Sequence, residues 1–499
     1  MISPIIASKI YSILGNNDSL IPMAIKDTSN SLGLTAGSYI TGKDAESQDR
    51  LIDEFGTQAL WLLGIPTYKA ILNFALFKPL GFDHGVDVRV LKDKEVFEAA
   101  KKFAKLNDIK YKDNKNVKKI AKSLEYITDK QKTFKGLTFS KFVISTLLTI
   151  LSYGALTDFR QKYREKKITK EFYEKQAKLN QDTYVKQPKD NKTPEVYKQF
   201  KSDKKKKNPN FTGKFNIQDF MFSPVKNLMI VDGTITTERL VKAQNKQEFM
   251  GFVIKEGSFW LFMYMAGGMI KSWLEKHSLE KHNIPIDLDA RVIESEELKD
   301  ALLNKNIMHN VNRFPVGNPS PVEIYEFVNT NQDNLIVRMA KKCELIKTLK
   351  GTEKLDPKTH KPISGTGAID NRKFIDPEEI KGLKDKLTLL YNKGEEFVAK
   401  EIEAAKAKAK ADGVSFKEFS DEDKLKLLGK YLDKVKKANR GATLKNIGAC
   451  IGFLGILMPA MIVGWRFMDK DNKEYQVRTD IENKLRAKMA QQKSLKTNA

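Results

Sequence analysis

NIGACIGFLGILMPAMIVGW, Asn446 to Trp465, contains no Lys, Arg, Asp or Glu. An uncharged apolar run of about 20 residues has the length of a helix that crosses a hydrocarbon core. It closes on Trp465 followed by Arg466, an aromatic and a cation of the kind found where a helix meets headgroups. This stretch sets the class, a mostly α-helical integral membrane protein, and makes three weaker runs worth placing beside it.

FVISTLLTILSYGALT, Phe142 to Thr157, is shorter and is bounded by Lys141 and the basic stretch FRQKYREKK. TQALWLLGIPTYKAILNFALFKPLG, 57–81, carries Pro66 and Lys69 near its middle. GSFWLFMYMAGGMIKSW, 257–273, is interrupted by Gly267 and Gly268. Alone, runs of this length are also compatible with buried core helices.

The rest of the chain is polar. It has 499 residues, 41% of them hydrophobic, and 88 Lys and Arg against 63 Asp and Glu give a net charge of +25. Mean hydropathy is −0.46, so most of the chain must face water, with substantial lysine-rich helices outside the bilayer. The positive balance suits anionic lipid headgroups, and the preference for lysine over arginine argues against sequence-specific nucleic-acid binding. Cys343 and Cys450 are the two cysteines, too few for a disulfide framework. MISPIIASKIYSILG lacks the basic start and cleavage site of a secretory signal, and it reads as an amphipathic helix retained in the mature protein.

Two hexapeptides extend the pattern. VDVRVL, 86–91, and LDARVI, 288–293, alternate apolar residues with Asp and Arg, the period of a short half-buried β-strand. Asp87 and Asp289 are 202 positions apart, as are Lys69 and Lys271, while Gly56 and Gly257 are 201 apart. Gly136 and Gly441, which precede the second and fourth runs, are 305 apart, and the residues closing those runs, Arg160 and Arg466, are 306 apart. Common order and nearly constant spacing predict a tandem duplication. The second copy then holds an insertion of polar helices over about 294–440.

The organisation expected is an N-terminal amphipathic segment (1–55), repeat 1 (56–180), a lysine-rich linker (181–230), repeat 2 (231–466) and a basic tail (467–499). Two crossings per repeat would give both repeats the same orientation. In the insertion, Asp376-Pro377 followed by two glutamates starts a long helix that stops at Asp412-Gly413, with Gly394 expected to break or bend it and its Ala-, Glu- and Lys-rich part expected to be solvated.

Few residues offer chemistry. Lys69 and Lys271 are candidates for a transport site, because an ionisable group in an interrupted membrane helix is costly to keep there. Asp87 with Arg89, and Asp289 with Arg291, are candidate ion-pair or acid-base couples, or simply contacts that fix register. Lys204, Lys205, Lys206 and Lys207 form a tract able to attract anionic lipid, or a solvated part of the linker. His277 and His282 lie five apart without partners at metal-ligand spacing, and SGTGAID (364–370) lacks the lysine of a phosphate-binding loop. No metal or cofactor is called for. The expected role is a non-enzymatic, multi-pass membrane scaffold or transport-like component whose first partner is the lipid bilayer. The alternatives are a soluble or peripheral all-helical protein that binds anionic lipid or nucleic acid, and a membrane-bound enzyme.

Overall fold

The computed structural model describes residues 4–16, 19–41, 44–112, 114–182, 221, 223–241, 243, 246–357, 360, 362–363, 365–468 and 476–497. Among these the protein is mostly helical and has no sheet, only isolated bridges between Thr348 and Ile369 and between Leu355 and Pro362. The chain begins with α1 (Pro4–Gly15), α2 (Leu20–Thr41) and α3 (Asp44–Phe77). A 3-10 turn at Val88–Leu91 leads to α4 (Lys94–Lys110), α5 (Lys115–Ile127) and α6 (Gln131–Asp182). Next come α7 (Pro224–Val241) and α8 (246–282), then a helical turn at Ala290–Ile293. Four short helices follow: α9 (Glu296–Leu303), α10 (Asn306–Asn312), α11 (Pro321–Thr330) and α12 (Leu335–Lys342). The last are α13 (Pro377–Ala411), α14 (Asp421–Met468) and α15 (Gln476–Thr497).

Three of these helices are long and apolar enough to cross a membrane: Asp44–Phe77, Lys115–Lys178 and Asp421–Met468. Only 22% to 33% of their apolar windows is buried inside the protein, so most of that apolar surface faces outward. Leu63, Phe74, Leu151, Met269, Trp273 and Ile456 are among the exposed side chains. The largest apolar cluster lies elsewhere. It joins α4 and α5 to α9 through α13 and the first half of α14, a conventional helical domain at one end of the long helices.

The long helices form a layer with α2 and α7. Helix α3 runs antiparallel to α2, with Gln58 donating to Thr28 Oγ1 and Ser47 to the Ser38 carbonyl. It runs antiparallel to α6 as well, where Asp49 meets Arg160 and Asn73 meets Lys141. Helix α2 packs parallel to α14. A Cβ on Gly33 would lie 2.3 Å from the Gly455 carbonyl oxygen, and Arg466 reaches Thr41 at 3.1 Å. Helix α7 is likewise parallel to α6: Thr146 donates to Asn227 and Arg239 to Tyr153.

Two local expectations are corrected. Residues 86–91 and 288–293 are not strands: Asp87 caps the Val88–Leu91 turn by accepting from the Arg89 N–H at 2.9 Å, and Asp289 caps Ala290–Ile293 by accepting from Arg291 N–H at 2.8 Å. Six residues are too few for alternation to separate a strand from a capped turn, and an Asp two positions before the N–H it accepts is a helix-start signal. Gly394 does not break α13, which is continuous from Pro377 to Ala411. Its bare face admits α14, because a Cβ there would lie 3.2 Å from Leu428 and 3.4 Å from Tyr431. The first half of α13 is buried through Ile380, Leu383, Leu387 and Leu390, whereas its Ala-, Glu- and Lys-rich end is largely exposed.

Candidate functional site

Pro66 has no N–H to close an ordinary helical turn. Helix α3 runs past it by widening into a π-turn at Leu60–Gly64, and α8 widens in the same way at Leu261–Met265, just before Gly267 and Gly268. The two π-turns start 201 positions apart. Wide turns of this kind redirect side chains and recur at functional sites. Here they bring aromatic donors inward. Trp61 Nε1–H donates to Asp27 of α2 at 3.0 Å, and the Tyr264 hydroxyl donates to Asp232 of α7.

Towards the end remote from the helical domain, the interior becomes densely charged. Glu54 of α3 accepts from Lys255 of α8 at 2.7 Å, with side-chain exposures of 7% and 5%. These residues are also 201 positions apart. Asp53 binds Arg160 of α6 and Arg239 of α7, and Arg239 also holds Glu256 at 2.6 Å. Asp49 binds Arg160 at 3.1 Å and Arg164 at 3.2 Å. A charge can be buried only where a partner offsets its desolvation, and this network supplies one at each of these positions.

Three cavities follow this polar interior. A vestibule of about 750 Å³ opens between the layer and the helical domain, lined by Ser12, Tyr264, Lys271, Glu275, Asp287, Asp289 and Lys386 among others. A central cavity of about 30 Å³ lies among Asp27, Asn30, Thr57, Trp61 and Asp232. A third, of about 240 Å³, is rich in arginine: Arg160, Arg164, Arg239, Arg466 and Arg478 all border it. Tyr264 belongs to the first wall and its partner Asp232 to the second, while Arg239 and Lys255 border both the second and the third. The second and third cavities therefore share a wall, and the Tyr264–Asp232 hydrogen bond joins the walls of the first and second.

The residues singled out from sequence are dispersed. Lys271 lines the vestibule and lies 3.7 Å from Glu275. Lys69 is half-buried on α3 and borders none of the three cavities. Within each Asp-Arg couple the two side chains bind each other, Arg89 to Asp87 at 2.8 Å and Arg291 to Asp289 at 3.0 Å, and Arg291 also pairs with Glu344 at 3.1 Å. Asp370 and Arg372 repeat the arrangement at 2.8 Å, and the Arg372 carbonyl accepts from Asp87 N–H. Asp289 also accepts from Ser12 at 2.7 Å on the vestibule wall, whereas Asp87 borders none of the three cavities. Lys204 to Lys207 lie outside the described residues. His277 stacks on Trp273, and among the described residues no group of His, Cys, Asp or Glu could hold a metal.

Outside the layer, burial pushes the Cys343 thiol up to about 12, with Asp289 adding to the shift. Burial and the neighbouring Asp287 carboxyl raise Glu275 to about 7. Asp27, Asp232 and Arg239 escaped the sequence reading because α2 and α7 are too polar to stand out as apolar runs, and Asp53, Glu54, Lys255 and Glu256 because they lie just before the apolar runs at 57–81 and 257–273. Two signals were available: acids inside the apolar stretches MAIKDTS and LMIVDGT, and opposite charges at Glu54 and Lys255 under the 201-residue offset.

No family model, curated protein or solved structure matches the chain.

Proposed function

We propose that this is an integral membrane protein of the transport type, formed by tandem duplication around a polar seam. The observation that carries this reading is the distribution of polarity in the layer: exposed apolar side chains outside, and buried ion pairs and carboxyls inside beside a small apolar cluster. A water-soluble bundle has the opposite distribution, and ionisable groups inside a membrane bundle mark solute or ion pathways. The duplication is supported by features at matching offsets. Two of the four π-turns among the described residues, at Leu60 and Leu261, start 201 apart, the Asp-capped turns begin 202 apart, and the next helices are capped by Asp93 and Ser295, also 202 apart. Glu54 and Lys255 hold equivalent positions and touch each other, as residues beside a twofold axis do. Helix α2 packs on α14 and α7 on α6, so each half contributes a helix to the other. A seam between two such halves is where transporters of this construction bind their cargo.

One observation favours a soluble or peripheral protein instead. Because α7 runs parallel to α6, α6 ends and α7 begins at opposite ends of the layer, and the sequence between them includes Lys204 to Lys207. A lysine-rich connector is poorly suited to threading a hydrocarbon core. Extraction of expressing membranes with alkaline carbonate separates the two: an integral protein stays in the pellet, and release into the supernatant overturns the transport proposal.

A further inference from the structure

We propose that Asp27 and Asp232 are a proton-carrying pair, exchanging a proton through a water molecule in the central cavity. This rests on the transport reading and supplies its coupling ion.

The two aspartates differ from the other acids of the seam. Asp53, Glu54 and Glu256 each hold an arginine or lysine. Asp27 and Asp232, 5% and 9% exposed, instead accept from neutral donors, the Trp61 indole and the Tyr264 hydroxyl. Two buried carboxyls on the wall of one small cavity, neither holding a cation, keep a proton between them, because both cannot ionise there at once. The surroundings do not reverse this. Asp27 faces Glu54 of α3, Asp232 of α7 and Lys255 of α8, and Asp232 faces Glu256 and Tyr264 of α8 and Arg239 of α7. Lys26, the cation next to Asp27 in sequence, meets Cys450 of α14. Lys255 and Arg239 are already committed to Glu54, Asp53 and Glu256.

A second observation points to the occupant of the cavity. Asn30 is 1% exposed and borders the cavity, and its Oδ1 has no hydrogen-bond partner; Thr57 Oγ1 on the same wall has none either. A buried amide oxygen in want of a donor, beside two carboxyls and a space of about 30 Å³, matches the requirements of a single water. Transfer then balances simply. The O–H bond of protonated Asp27 breaks as its proton passes to the water, and one of the water's own protons forms the new O–H bond on ionised Asp232. One proton moves, the water is regenerated, and nothing is oxidised or reduced.

The test is infrared spectroscopy of the purified full chain in detergent, following the carboxylic-acid carbonyl band through a pH titration. A band persisting at neutral pH is expected, with Asp27→Asn and Asp232→Asn each removing part of it. Asparagine is isosteric with the neutral acid, so both variants should melt close to the parent. If Asp27→Asn does not fold, Trp61→Phe keeps both acids and should move the titration midpoint of the band. Absence of the band at neutral pH, a band that both Asn variants leave intact, or an unmoved midpoint in Trp61→Phe overturns the proposal. So does loss of the band when sodium chloride replaces choline chloride at constant pH, since the pair would then be a cation site. The band is read without vesicles. A band in a protein released by carbonate sinks only the transport reading, and a carbonate-resistant protein without the band sinks only this one.

Discussion

Replacing Gly33 with alanine probes the closest helix crossing in the layer. The added Cβ would sit 2.3 Å from the Gly455 carbonyl oxygen and 2.6 Å from Pro459 Cγ, where real Cβ contacts stay above 3.0 Å. Both neighbours belong to the rigid body of α14, so α2 and α14 have to part by roughly an ångström, at an overpacking cost of about 1–3 kcal/mol. Alanine is also a better helix former than glycine by about 0.5–1 kcal/mol, which offsets part of the loss. The net expectation is destabilisation of about 1–2 kcal/mol, or roughly 5- to 30-fold in the folding equilibrium. Gly448→Ala, on the same helix, is the control. A Cβ there meets nothing within 4 Å, so only the helix-propensity gain remains. Matched thermal unfolding of the purified proteins should place Gly33→Ala below the parent and Gly448→Ala at or above it. A Gly33→Ala protein that melts with the parent, or a Gly448→Ala protein that falls as far, would refute the close crossing.

Other perturbations address the domain and the vestibule. Half-buried Cys343, with its thiol pushed up to about 12, should alkylate roughly a thousandfold more slowly in the native protein than after unfolding at mildly alkaline pH; equal rates would contradict the raised thiol. Glu275, raised from 4.5 to about 7, keeps a proton that the unfolded chain releases. Its contribution is therefore intact below pH 4.5 and lost as pH rises towards 7, by up to about 3 kcal/mol, and Asp287→Asn should flatten that slope in denaturant titrations. Asp87→Ala, which removes a cap, should cost about 1 kcal/mol, while Asp87→Asn should cost less because the amide oxygen still caps the turn. Equal losses in chemical unfolding would assign the effect to the half-exposed Arg89 pair instead.

Sequence was informative where one property dominated. The run ending at Trp465 has length and composition enough to mark a long apolar helix, and Asp376-Pro377 with two glutamates marked the start of α13, where Asp376 accepts from Glu378 N–H. It misled where one pattern has two physical solutions. VDVRVL satisfies both a strand and an Asp-capped turn, and only the tertiary setting, with Val88, Val90 and Leu91 buried in the helical domain, selects the turn. Gly394 is a helix breaker by propensity but a point of close approach in three dimensions. The polar seam was the least legible part. Helices α2 and α7 are held inside the layer by Asp27, Asn30, Asp232 and Arg239, so the residues that define the seam also lower the hydropathy by which a buried helix is recognised.

The most direct test of a membrane-spanning layer is sidedness. Asn318 is exposed on the helical domain, and Lys162 is exposed on α6 beyond the opposite end of its apolar run. Cysteines introduced singly at these positions, in a background lacking Cys343 and Cys450, can be treated with a membrane-impermeant maleimide in sealed membrane vesicles of one orientation. A layer that crosses the bilayer allows only one of the two sites to react until the vesicles are opened. Equal labelling of Asn318→Cys and Lys162→Cys in intact vesicles would contradict it.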